Sequence, residues 1–326
     1  MVPNTFTKRG FFVAIFSGFL MTSSARSDSQ PGFMKLWDFK EPAATEARFR
    51  EVLAKPETRE DPSVHVQLLT QIARTEGLQG RREEAHRTLD EAEALLVEGM
   101  NTARVHCHLE RGRTVNGKAG GTDPAALERA AASVPHFLAA WELAKSSGED
   151  ALALDAAHMM AIVAPAGERM EWSRRAIEVA EASTNPNCRG WLGPLYNNTG
   201  WDLHDKGDHE GALEMFRKGV EFRRAGGGAG FRISRWSEAR ALRSLGRIDE
   251  AMAIQRDLES AWAAEGEPDA YVFEEIGECL VAQGEKDDAK YYFARAHELL
   301  IQDEWFVANE GERVARMAEL GGIAGD

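Results

Sequence analysis

The sequence predicts an all-α fold, a right-handed α-solenoid of about six stacked antiparallel helix pairs with a C-terminal capping helix. Three observations predict it. Four stretches carry a small residue, then Gly, then Ala at one phase: Ala73/Gly80/Ala85, Gly200/Gly207/Ala212, Ala239/Gly246/Ala251 and Gly277/Gly284/Ala289. Acidic residues follow each of those glycines, namely Glu83 and Glu84, Asp208 and Glu210, Asp249 and Glu250, and Asp287 and Asp288. Between Thr102 and Ser183, where the phase fades, apolar residues still recur at helical period.

In chain order, Lys8 and Arg9 precede an apolar run from Phe11 to Met21, followed by Ser23-Ser24-Ala25. This is the pattern of a processing signal with cleavage after Ala25. Residues 1–25 are expected to be a signal-like segment, and export to a periplasm or the outside follows. A start at Met21 or Met34 is the alternative, which makes the protein cytoplasmic. The run is too short for an ordinary membrane span. Residues 26–36 are expected to be a disordered linker, and residues 37–326 a single helical-repeat domain.

Within each repeat the first small residue falls mid-way along a helix A and the Ala near the start of a helix B, where the two helices approach closely. The Gly between them falls where helix A ends, a place for left-handed backbone that a Cβ penalises. The acidic residues beyond it suit the cap and positive end of helix B. In the middle of the chain one hairpin is expected over Ala103–Asn116 and Ala125–Lys145, across a Lys118–Asp123 loop. Another is expected over Asp150–Val163 and Glu168–Ala182. Their small helix A residues are Gly112 and Ala157. Gly226-Gly227-Gly228-Ala229-Gly230 follows a helix and lacks the Lys-Ser/Thr of a phosphate loop, so it reads as a flexible connector. The tail from Glu304 to Leu320 reads as one capping helix with Trp305, Phe306, Val314 and Met317 on its apolar side.

These residues resemble the tetratricopeptide repeat, aromatic-x2-Leu-Gly-x2-Tyr then Ala-x3-Phe. The last repeat matches with Phe273-x2-Ile276-Gly277-x2-Leu280 and Ala289-x3-Phe293. The repeat before the glycine run has Tyr196-x2-Thr199-Gly200-x2-Leu203 and Ala212-x3-Phe216. Leu69-x2-Ile72-Ala73 with Ala85-x3-Leu89 is a weaker copy, and Arg235, Glu238 and Gln255 depart from the pattern around Ala239. Ala212, Ala251 and Ala289 are spaced 39 and 38 residues apart. That exceeds the consensus of about 34. It is closer to the extended repeats of kinesin light chain, whose Leu-x-Asn-Asn-Leu-Ala resembles Leu195 to Gly200.

Composition narrows the function. Hydrophobic residues make up 43% and charged residues 28%, as expected for a globular chain. A net charge of −14 argues against general nucleic-acid binding. Cys107, Cys188 and Cys279 form neither a disulfide framework nor a Cys-x-x-Cys pair. His106-Cys107-His108 alternates around a helix, and His204, Asp205, Asp208 and His209 straddle a turn, so no metal and no cofactor is expected. No nucleophile elbow, Walker loop or dinucleotide fingerprint is present. The one acid/base set is Asp155, His158 and Glu110, and a non-enzymatic protein is expected.

The resemblance implies that A helices line a concave groove, which the residue just after the small one faces. That column reads Arg74, Arg113, His158, Trp201, Arg240 and Glu278; two before the small residue stand Gln71, Glu110, Asp155, Asn198, Ser237 and Glu275. Trp236, Arg240, Arg243 and Arg247 extend it as a stripe. Arg74, Arg113, His158, Asn198, Trp201, Trp236, Arg240 and Arg243 are therefore the candidate partner-binding residues. The expected function is a protein-interaction scaffold or adaptor holding a peptide with acidic side chains or a C-terminal carboxylate. By the kinesin light chain resemblance, Asn198 hydrogen-bonds the peptide backbone. A regulator responding to a small anion or signalling peptide is the alternative. A competing role for the arginines is pairing with Glu110 and Asp155 of a neighbouring repeat.

Overall fold

The computed structural model describes residues 31–117 and 123–323. The signal-like segment, the linker before residue 31 and most of the Lys118–Asp123 loop lie outside them. Among the described residues there is no strand. The chain divides at Leu195/Tyr196 into two compact units.

In the N-terminal unit a 3₁₀ turn (Gly32–Leu36) leads to α1 (Pro42–Leu53) and the short α2 (Pro56–Glu60). Three hairpins follow: α3 (Pro62–Leu78) with α4 (Arg82–Ala94), α5 (Asn101–Asn116) with α6 (Pro124–Ser146), and α7 (Asp150–Val163) with α8 (Arg169–Ala182). The short α9 (Pro186–Gly190) comes next. The linker expected up to residue 36 is structured in its described part, because Phe33 is buried against Phe49. The division falls within α10 (Leu192–Asp205), which is followed by α11 (His209–Arg223). The C-terminal unit continues with α12 (Gly228–Ser244) and α13 (Ile248–Glu265), then α14 (Ala270–Gln283) and α15 (Lys286–Leu300). The expected single capping helix is broken at Glu310 into α16 (Glu304–Asn309) and α17 (Gly311–Leu320). Phe306 and Met317 are buried and Val314 packs on the core, whereas Trp305 is exposed.

The repeat residues do what their phase implies. Gly80, Gly207, Gly246 and Gly284 all have positive φ, between 76° and 86°, and each ends its helix A. The small residue on helix A makes room for a large one on helix B. A Cβ on Gly200 would meet Phe216 at 2.4 Å, one on Gly112 would meet Phe137 at 2.6 Å, and one on Gly277 would meet Phe293 at 3.0 Å. These three rings are almost wholly buried, each contributing about 1.5–3 kcal/mol by leaving water. Where the small residue is Ala the partner shrinks: Ala73 clusters with Ala85 and Leu89, and Ala239 stands opposite Gln255 in the repeat. Of the acidic residues after the glycines only Asp208 is an N-cap, accepting from Gly211 N at 2.9 Å. The others sit in the first turn of helix B, where they favour its dipole. The glycine run is only partly a connector: Gly228 to Gly230 form the first turn of α12.

Candidate partner-binding face

At three junctions the residue after a small one meets the acid two before the next small one across neighbouring A helices. In the N-terminal unit Arg74 Nη1 on α3 donates to Glu110 Oε1 on α5 at 3.0 Å. Arg113, also on α5, donates to the same oxygen at 2.6 Å and to Asp155 on α7. In the C-terminal unit Arg240 on α12 pairs with Glu275 on α14. Arg243 approaches the same carboxylate through Nε at 2.8 Å and Nη2 at 3.1 Å. The series continues with Glu274 to Arg313 and Glu278 to Arg316 on α17. The competing role of the arginines is thus realised, and apart from Arg113 with Glu110, which share α5, each pair stitches one repeat to the next.

These pairs are held out of water. Glu110, Glu274 and Glu275 are each 1% exposed. Burial alone would raise the Glu275 carboxyl, but the charges of Arg240 and Arg243 outweigh it and bring the pKa down to about 2. Burial likewise opposes the charge on Arg113, yet Asp155 and Glu110 hold its pKa above the ordinary arginine value. Asp155 is lowered in spite of burial, chiefly by Arg113. The Asp155, His158 and Glu110 set is therefore not an open acid/base constellation: Arg113 sits on both carboxylates. His158 is lowered by burial, and its ring lies 5.2 Å from Trp191, edge to face.

The other candidate residues divide by exposure. Trp201 is half-buried, with Phe216 at 5.1 Å, His204 at 5.3 Å and Trp236 at 5.8 Å between ring centroids. Trp236 is buried, and its indole N–H donates to Tyr271 O at 3.1 Å. That corrects the stripe: Trp236 is a packing residue joining α12 to α14. The aromatic series Trp201, Trp236, Tyr271, Phe306 recurs every 35 residues. It drifts along successive A helices because the small residues are spaced 39 and 38 apart. Asn198, Arg240 and Arg243 are half-buried. His204 closes this region, donating to or accepting from Ser244 Oγ at 2.8 Å, with burial and the Arg240 charge bringing its pKa to about 4.

Among the described residues no group of three or more His, Cys, Asp or Glu is placed to hold a metal ion. The three cysteines are buried thiols, and burial pushes Cys107 and Cys279 up to about 12. No described helix is long and apolar enough to cross a membrane. Sequence reasoning missed Glu275 as the shared acceptor of two arginines, although Glu275 stands in its acidic column. It also missed Trp37 and Phe39 beside Arg74, which lie outside any repeat.

No family model matches the chain, and no curated protein does. Solved structures do. The apo form of RapI aligns over 83% of this chain and 74% of that one, at 10% identity and TM-score 0.64. The signal transduction ATPase with a tetratricopeptide repeat sensor from Pyrococcus horikoshii aligns over 90% of this chain and 43% of that one, at 12% identity and TM-score 0.58. The fold is tetratricopeptide-like. BtubC (BKLC) from P. vanneervenii shares the arrangement over 73% of this chain and 93% of that one, at 12% identity and TM-score 0.51. At these identities the likeness is one of tetratricopeptide-like architecture, the successive A and B helices described above.

Proposed function

We propose that this chain is a non-enzymatic protein-interaction scaffold that binds an extended peptide segment along the A-helix face, with a carboxylate of that segment at Arg240 and Arg243. The observation that carries the reading is the convergence of two guanidinium groups on one buried carboxylate, Glu275, in the unit that also holds the half-buried Trp201 and Asn198. Holding the arginines in place lowers the ordering cost that a ligand would otherwise meet. Arginine binds carboxylates through its planar fork, and Arg243 directs only Nε and Nη2 to Glu275. An adjacent indole adds contact area at low conformational cost. The tetratricopeptide-like stacking supports the same reading, because solenoids present such faces to partners. Export, or a cytoplasmic start at Met21 or Met34, belongs to this proposal as an open pair of locations. The N-terminal mass of the native protein separates them.

Simple charge reversal at Arg240 and Arg243 is a poor test, since it strands Glu275 among like charges and costs about 3–5 kcal/mol. The variant Arg240→Gln/Arg243→Gln/Glu275→Gln removes the cations and their counter-charge together. A partner captured by the parent and lost by this variant, at equal helicity, supports the site. Equal capture refutes it.

A further inference from the structure

The stretch between the 3₁₀ turn and α1 runs onto residues that the sequence reading gives to a partner. Gln71 and Arg74 hold the two column positions of the first repeat, on α3. Trp37 Nε1 donates to Gln71 Oε1 at 2.9 Å. Trp37 and Phe39 stack on each other, with centroids 4.4 Å apart and planes 8° from parallel. The Arg74 guanidinium lies 5.8 Å from the Trp37 ring and 5.5 Å from the Phe39 ring. Arg74 is engaged by Glu110 through Nη1, and its charge lies within cation–π range of the aromatic pair.

End packing does not require all of this. Phe33 already closes the core at this end, in a cluster with Phe49, Leu68 and Ile72, and Trp37 flanks that cluster. Phe39 lies outside it and remains 54% exposed, so it is held by Trp37 and Arg74. The backbone of Asp38 is tied to α1, its N–H donating to Thr45 Oγ1 and its C=O accepting from it, both at 3.1 Å, while its side-chain Oδ1 accepts from Lys40 N at 3.0 Å. The arrangement is that of a tight turn, closed by Glu41 N donating to Asp38 O at 3.2 Å, whose aromatic residues at alternate positions lie against an arginine-bearing helix face.

We propose that Trp37–Lys40 is an intramolecular occupant of the peptide-binding face, covering Gln71 and Arg74 until a partner segment with aromatic residues at alternate positions displaces it. The displacing segment places a ring N–H on Gln71 and its rings over Arg74. The inference rests on the interaction-scaffold reading but uses the N-terminal unit, whereas that reading is tested at Arg240, Arg243 and Glu275 in the other unit. The two fail separately. A short tether gives an effective concentration on the order of 1 mM, so a resident segment of ~0.1 mM intrinsic affinity weakens a competitor about ten-fold.

The chain supplies its own probe. A fluorescently labelled peptide of residues 35–41, Lys-Leu-Trp-Asp-Phe-Lys-Glu, is titrated with the full chain and with Phe39→Ala and Trp37→Ala/Phe39→Ala variants, following anisotropy. The expected result is a several-fold gain in affinity for Phe39→Ala and about ten-fold or more for the double variant. Adding Arg74→Ala to the double variant removes the gain. Equal affinity for parent and variants, or no binding to any variant up to ~1 mM, overturns the proposal. Should the double variant lose its helicity, the Phe39→Ala arm decides, because that side chain lies outside the core cluster.

Discussion

Adding one methyl group at Gly200 tests the packing that spaces the helices. The new Cβ would stand 2.4 Å from Phe216 Cε1, 2.7 Å from Cδ1 and 3.0 Å from Cζ. Contacts this short force the ring or the helix to shift, and such overpacking costs about 1–3 kcal/mol. Alanine recovers up to ~1 kcal/mol through helix propensity. The expected net loss is about 1–2 kcal/mol, a fall in unfolding midpoint of about 2–8 °C. Circular dichroism during heating and urea titration both read it. Gly77→Ala is the control, since no atom lies within 4 Å of its Cβ. That change is expected to raise stability by about 0.5–1 kcal/mol. Gly200→Ala/Phe216→Leu recreates the Ala73 and Leu89 combination that α3 and α4 already use. It is expected to be more stable than the sum of the single changes by at least ~0.5 kcal/mol. A Gly200→Ala protein as stable as the parent, or strict additivity in the double variant, refutes the account of the small residue.

Gln255 is fully buried and neither its amide N nor its O has a hydrogen-bond partner. Gln255→Met keeps much of its volume without the desolvated amide, and the urea midpoint is expected to rise by the equivalent of about 1–3 kcal/mol. Glu275 has a folded pKa of about 2 against an ordinary 4.5. Its contribution is fully present above pH 4.5 and is lost as pH falls through the folded value. Denaturant titrations should therefore show about 3 kcal/mol disappearing between pH 4.5 and 2, and Glu275→Gln should flatten that part of the profile. An unchanged slope in the variant contradicts the assignment.

The helical hairpins were largely legible because their signals are local. Gly80, Gly207, Gly246 and Gly284 mark helix ends by a backbone requirement, and apolar periodicity alone placed α5 to α8 within a few residues. The 3₁₀ turn, α1 and α2 were not, since they stand outside the repeat phase and are held by Phe33 and Phe49 against α3. In the candidate site the residue columns were legible, but their meaning required the third dimension. Arg74 and Glu110 are far apart in sequence, and only stacking shows that one column donates to the other. Trp236 falls among the candidates because a stripe at spacings of three and four marks one helix face without saying what covers it. Tyr271, from the next repeat, covers it.

Calorimetric titration decides whether a partner's carboxylate binds at Arg240 and Arg243. Peptides selected from a random library on the full chain would be titrated into the parent and into Arg240→Gln/Arg243→Gln/Glu275→Gln. The selected peptides are expected to carry an acidic side chain or free C-terminal carboxylate and to bind at least ten-fold more weakly to the variant at unchanged helicity. Equal affinity for both proteins, or selection of peptides without any such carboxylate, contradicts it.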